Sequence, residues 1–210
     1  MNAIRIDKQI KVDGILDESY WSVADKATDF IQRSPEPGGQ PSQRTEVAVM
    51  YNDAYLYIGA WLYDDRPDGI LTELTSRDQG GNSDRFSVYF DTYNDDLNAY
   101  EFSVSAAGVQ SDARISPGSF DRNWDVGWYS DVSITDEGWF VEIEIPLSVL
   151  RFPDTEVQHW GTNFRRIIKR DNESLYWDDI NPKVSGFLNQ FGNMSGIKKI
   201  KTKLSLSIKQ

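Results

Sequence analysis

The chain has 210 residues, a net charge of −11, no cysteine and one histidine, His159. The lack of cysteine excludes disulfides, thiol catalysis and Cys-based zinc sites, and a lone histidine removes most His-dependent chemistry, multi-His metal centres included. The acidic balance disfavours a nucleic-acid partner, which needs clustered Lys and Arg, and no stretch of 18 apolar residues is present to span a membrane as a helix.

The opening MNAIRIDKQIKVDG is charged and lacks an apolar h-region, so no signal peptide is expected. Ala3 to Ile6 and Gln9 to Val12 read as a short hairpin or two edge strands, with Asp13-Gly14 as a turn. In ILDESYWSVAD, Asp17 is the expected N-cap of one short helix, with Leu16 stapled onto an inward Trp21. SPEPGGQPS, Ser34 to Ser42, holds three prolines and two glycines and marks an exposed loop. Val47, Val49 and Tyr51 alternate with Ala48 and Met50, and YLYIGAWLYD has bulk on both faces, as a central strand does.

The most regular stretch follows. Phe86, Val88 and Phe90 alternate with Ser87, Tyr89 and Asp91, and Tyr100, Phe102 and Val104 alternate with Glu101, Ser103 and Ser105. This period of two predicts a long antiparallel hairpin closed by an acidic turn, with another short strand from Val109 to Arg114. RISPGSFDRNWDVGWYS reads as loop until Trp128. Ser130 to Thr135 and Gly138 to Ile145 form a second hairpin, and Pro146 to Leu150 one helical turn. Trp160 to Ile168 and Ser174 to Trp177 are further strands, and Gly186 to Gly196 is rich in glycine and asparagine. The last segment, GIKKIKTKLSLSIKQ, carries five Lys and no acid. Ten or more short strands and one short N-terminal helix predict an all-β antiparallel sandwich over residues 1–196, with residues 197–210 as a last strand or the start of a linker.

Several of these stretches resemble the family 9 carbohydrate-binding modules: IKVDGILDESYW, EVAVMYNDAYLYIGAWLYD and SDRFSVYFDT. GWFVEIEIPLSVLRF, HWGTNFRRIIKR and FGNMSGI resemble one subgroup, found at the N-terminus of large bacterial outer-membrane proteins ahead of a predicted β-barrel. The resemblance implies a calcium-binding sandwich of the immunoglobulin-like or jelly-roll type, without catalytic activity, in a bacterial cell envelope. It implies an oligo- or polysaccharide as ligand and a C-terminal β-barrel as partner. In such modules two tryptophans clamp the end of a sugar chain. Here the first counterpart is Gly81, and the second falls at Ser185 and Phe187.

Two groups of residues are candidate sites. Asp91, Asn94, Asp95, Asp96 and Asn98 carry the oxygens that calcium prefers, although the same residues also make solvated turns. Asp64, Asp65 and Asp68 form a second acidic loop. Trp124, Trp128, Tyr129, Trp177 and Phe187 are candidate sugar-stacking aromatics, with Arg122, Asn123 and Asp125 (and Asn181 and Asn189) as a polar rim. The alternative is that Trp128 and Trp177 close the core. Glu142 and Glu144 have the two-carboxylate pattern of a retaining glycosidase, but their alternation with apolar residues predicts a solvent-exposed face and ordinary acidity. His159, with Met50 or Met194, is a candidate haem ligand set or an ordinary rim histidine. Arg165, Arg166, Lys169 and Arg170 either pair with acids or form a contact surface. The functional expectation is a non-catalytic carbohydrate-binding module; the alternative is a docking domain that has lost sugar binding.

Overall fold

A computed structural model describes residues 1–201. The expected final strand or linker therefore lies mostly outside the described residues. In chain order the strands are β1 (Ile4–Arg5), β2 (Lys26–Ala27), β3 (Ile31–Ser34), β4 (Thr45–Tyr51), β5 (Tyr55–Tyr63), β6 (Arg85–Asp91) and β7 (Ala99–Ser105). They continue as β8 (Gln110–Ser116), β9 (Ser119–Asp121), β10 (Tyr129–Thr135), β11 (Gly138–Pro146), β12 (Trp160–Ile168), β13 (Glu173–Tyr176) and β14 (Gly192–Met194). A single α-helix among the described residues, α1 (Ser19–Val23), and four 3-10 turns complete the inventory.

These strands form two antiparallel-rich sheets packed as a sandwich. The first has the order β1-β4-β5-β11-β10, with β2 also on the β4 edge. The second has the order β3-β13-β12-β6-β7-β8-β9, with β14 sharing the β12 edge beside β13. Alternation decides the faces. Leu56, Ile58, Ala60 and Leu62 of β5 and Trp139, Val141, Ile143 and Ile145 of β11 point inward. Across the core they meet Phe86, Val88 and Phe90 of β6, Phe102 and Val104 of β7, and Trp160, Phe164 and Ile168 of β12. Each large side chain so buried contributes about 1.5–3 kcal/mol.

Charged side chains also point inward, among them Asp112 of β8, which accepts from the Trp128 indole at 3.3 Å. Arg166 of β12 is fully buried and reaches the first sheet, donating to the carbonyls of Arg44 at 2.9 Å and Tyr63 at 2.7 Å. Asp64 lies 3.7 Å from it and accepts from Arg170 at 2.8 Å. Asp64 is thus a buried ion-pair member, and Arg166 and Arg170 take the acid-pairing alternative. Burial lowers the Arg166 pKa to about 10, so it stays charged at neutral pH.

The N-terminus meets the edge-strand expectation only in its first half. Ile4–Arg5 pairs in parallel with Met50–Tyr51, so the first strand joins an edge and no hairpin forms. Gln9 to Val12 joins no strand and lies on the outer face of the first sheet, burying Ile10 beside Trp21, Met50 and Tyr57. The helix begins at Glu18 as N-cap rather than Asp17, with no side-chain cap bond. Glu18 instead accepts the Lys11 amide and the Trp21 indole N–H, each at 3.1 Å. Leu16 and Trp21 do meet, over Gly59 of β5, where any Cβ would sit 2.6 Å from Leu16. This cover also buries Glu142 and Glu144, which are 1% and 5% exposed. The alternation of β11 was legible, but the outward face is roofed by another segment. Strands β2, β3, β9 and β14 are two to four residues long, too short for a period to show.

Candidate functional site

The outer face of the second sheet holds an open cavity of 640 Å³. Its floor follows from strand register. Tyr89 of β6 sits opposite Glu101 of β7, and Arg165 of β12 sits opposite both Tyr176 of β13 and Ser87 of β6. All project away from the core, because their neighbours Val88, Phe90, Phe102 and Phe164 project into it. The flanks are loops. Phe187, after β13, packs edge-on to Tyr89 at 5.4 Å and to Tyr176 at 6.1 Å. At the opposite end of the strand order, the β8–β9 hairpin contributes Phe120 and Arg122, whose guanidinium lies 4.8 Å from the Phe120 ring. Asp96 and Leu97 of the β6–β7 turn close one side.

The polar groups have defined states. The Tyr89 hydroxyl donates to Glu101 Oε1 at 2.8 Å. Burial, then the Glu101 charge, pushes the Tyr89 phenol well above its usual range, and burial raises Tyr176 likewise. Both phenols are therefore neutral at physiological pH. Burial is the largest influence on Arg165 and pulls its pKa down, but Tyr176, Tyr89 and Glu101 together carry it above the ordinary value. Glu101 Oε2 is buried with no hydrogen-bond donor, and Arg122 Nη1 is 3.9 Å away. Apolar walls beside a few convergent polar groups, at this volume, are the usual construction of a small-ligand site.

Of the expected sugar-contact residues, Phe187 and Arg122 line this cavity. Trp128 is buried and packs edge-on to Phe102 at 5.4 Å, and Trp177 packs on Phe164 at 5.6 Å, so both take the core alternative. Trp124 is half-buried against the inward-facing Tyr100 and Phe102, on the other side of β7 from Glu101. Tyr129 is exposed and lines a different hollow, beside Gln9 to Val12 and Glu144. Asn123 is exposed, and Asp125 pairs with Arg77 at 3.2 Å. Tyr89, Glu101, Phe120 and Tyr176 escaped the sequence reading, and Arg165 was singled out there only as part of a basic run, not as a ligand contact. The available signal was the outward register of the hairpin, which places Tyr89 opposite Glu101.

In the acidic turn, Asp91 is buried and accepts the amides of Asp95 at 3.3 Å and Asp96 at 2.8 Å. Asp95 in turn accepts the amides of Leu97 and Asn98 at 2.8 and 3.1 Å. Asn94 and Asp96 take left-handed backbone conformations at φ 51° and 61°. The turn is held by its own hydrogen bonds, and among the described residues no three His, Cys, Asp or Glu side chains converge into a metal-holding group. His159 is exposed while Met50 and Met194 are buried.

The sequence profile of the carbohydrate family 9 binding domain-like family matches residues 12–182. The chain belongs to that family. As a family 9 domain it is similar in fold to the carbohydrate-binding module family 9 of Caldicellulosiruptor kristjanssonii solved with cellotriose, at 15% identity and TM-score 0.66 over 100% of this chain and 98% of that one. The same organism's module in complex with glucose gives 15% identity and TM-score 0.64 over 100% of both chains. A putative carbohydrate-binding protein from Bacteroides uniformis gives 12% identity and TM-score 0.72 over 93% of this chain and 97% of that one. No curated protein matches the chain. Among the described residues of this family 9 domain, no tryptophan lines the cavity, and Gly81 lies in an exposed loop outside its lining.

Proposed function

We propose that this domain is a non-catalytic carbohydrate-binding module whose sugar site is the cavity on the second sheet. One observation carries the reading: Phe187 on one flank and Phe120 on the other enclose a floor bearing Tyr89, Glu101, Arg165 and Tyr176. A pyranose presents C–H faces to aromatic planes and hydroxyls to paired donors and acceptors, and this cavity offers both. The sugar complexes of structurally similar family 9 modules support it.

The test is glycan-array binding followed by calorimetry on variants. Phe187→Ala is expected to weaken binding about tenfold or more, since aromatic contacts of this kind contribute on the order of 1 kcal/mol beyond buried area. Trp124→Ala is expected to leave affinity unchanged. The reverse pattern would place the site elsewhere.

The absence of a tryptophan from the cavity favours a second reading, in which the domain docks within a larger outer-membrane protein beside a C-terminal β-barrel. Silence across neutral and acidic glycans would select it. Either reading places the protein in a bacterial cell envelope, periplasmic or outer-membrane associated, on the strength of the sequence resemblance. Calcium at the Asp91–Asn98 turn belongs to the same proposal. What supports it is the turn's oxygen-rich composition and the Asp91 carboxyl, whose pKa is raised by burial and further by the Asp95 charge, a strain a cation would relieve.

A further inference from the structure

Although the chain carries a net charge of −11, the outer face of the second sheet gathers guanidinium groups. Arg165 stands in the cavity floor and Arg122 on its wall. Arg85 of β6 is a diagonal neighbour of Arg165, because Arg165 pairs with Ser87 two residues further along the same face. Burial lowers the pKa of Arg85, and the like charges of Arg122 and Arg165 add to that effect against Glu101.

The partners of these cations are informative. Arg85 donates to backbone carbonyls, Gly80 among them. Arg122 has Glu101 at 3.9 Å. Arg165 uses Nε for the neutral Ser174 hydroxyl at 3.0 Å and, among the described residues, makes no ion pair. A guanidinium kept charged at the floor of a cavity, with no carboxylate on it, is set up for an incoming anion. Glu101 supplies the complementary half. Its residue is 5% exposed, Oε1 is taken by Tyr89, and Oε2 is a buried acceptor without a donor. An acceptor left unpaired in this way is costly to bury, and a ligand hydroxyl would satisfy it.

We infer that the cavity selects an acidic sugar residue, whose anionic group pairs with Arg165 while a ring hydroxyl donates to Glu101 Oε2. This inference rests on the sugar-binding reading above and narrows it to one ligand class. Arg122 and Arg85 add positive potential to the face without touching the anion. A uronate carboxylate and a sulfate ester share the required chemistry, a delocalised anion matched to a planar guanidinium fork.

Calorimetry with three probes separates the outcomes: cellotriose as the neutral arm, a galacturonate trimer as the carboxylate arm, and a heparin-derived disaccharide as the sulfate arm. Each is titrated into the native protein, Arg165→Gln, Arg122→Gln and Phe187→Ala, at low and high sodium chloride. One anionic arm should bind at least tenfold tighter than cellotriose at low salt, and that arm names the source of the anion. Arg165→Gln should erase the preference, so that the anionic probes bind this variant no tighter than cellotriose does. Arg122→Gln, an exposed change that leaves folding alone, should reduce the preference by a smaller factor. Phe187→Ala should weaken every arm. If cellotriose matches or exceeds both anionic probes, and Phe187→Ala still weakens it, the acidic-sugar inference falls and the sugar-binding reading stands. If no probe binds at any salt, both fall.

Discussion

Glu142 shows how one residue's protonation links to stability. Its carboxyl accepts the amides of Asp13 and Gly14 at 2.9 and 3.0 Å and the Trp21 indole at 3.2 Å. Burial dominates and, with the nearby Glu18 charge, outweighs those bonds, raising the pKa from 4.5 to about 7. The folded state therefore holds this proton more tightly than the unfolded chain does. Its contribution is full below about pH 4.5, is lost as pH rises through about 7, and amounts to on the order of 3 kcal/mol. Burial also raises Asp84, Asp91 and Asp112, in the same sense, so the slope needs a variant to assign it. Urea unfolding at pH 5 and pH 8 should show native stability falling with pH, and Glu142→Gln should flatten that fall. Equal midpoints for the native protein at both pH values would mean that the carboxyl ionises normally. The alternation that puts Glu142 opposite Val141 and Ile143 was legible; its burial was not, because it depends on a segment 128 residues away. The same limit hid the cavity. Tyr89 and Glu101 could be placed on one face from their own strands, but Arg165 and Tyr176 reach that face only through pairing with distant strands.

At the scale of elements, the N-terminal segment is a cover held by polar pins. Besides the two amide bonds onto Glu142, the Ser133 hydroxyl donates to the Gly14 carbonyl at 2.6 Å. Gly14 itself takes φ +77°, and a Cβ there would lie 2.8 Å from the Val132 carbonyl carbon of β10. A side chain at this position meets an unfavourable backbone conformation and immovable main chain together. Gly14→Ala should lower unfolding free energy by roughly 1–3 kcal/mol, measured by urea titration. An unchanged midpoint would show that the segment is not seated on β10. The β8–β9 hairpin teaches the converse lesson about legibility. Pro117-Gly118 is a turn signal, but Ser119–Asp121 is too short to show alternation, so the stretch read as loop. It nonetheless carries Phe120 and leads to Arg122. The long strands β5, β6, β7, β11 and β12 were readable because each buries one face for its whole length, whereas the short edge strands owe their existence to partners.

For the whole molecule, 33 acidic against 22 basic residues give the charge of −11, and such an excess repels itself in the compact state. Arg166 and Arg170 offset part of it at Asp64. The Asp91–Asn98 turn has no such relief, since the hydrogen bonds onto Asp91 and Asp95 come mainly from backbone amides. A calcium ion that binds this turn only in the folded chain would stabilise by mass action, about 2.7 kcal/mol at a hundredfold excess over Kd. For a domain of this size that corresponds to a rise in Tm of roughly 5–10 °C. Chelation should therefore lower Tm by that amount, and restored calcium should recover it, while Asp91→Asn should remove the response. General screening predicts a different pattern. Sodium chloride at matched ionic strength would then raise Tm as much as calcium does, and Asp91→Asn would respond like the native chain. A Tm unmoved by chelation assigns the turn to hydrogen bonding alone.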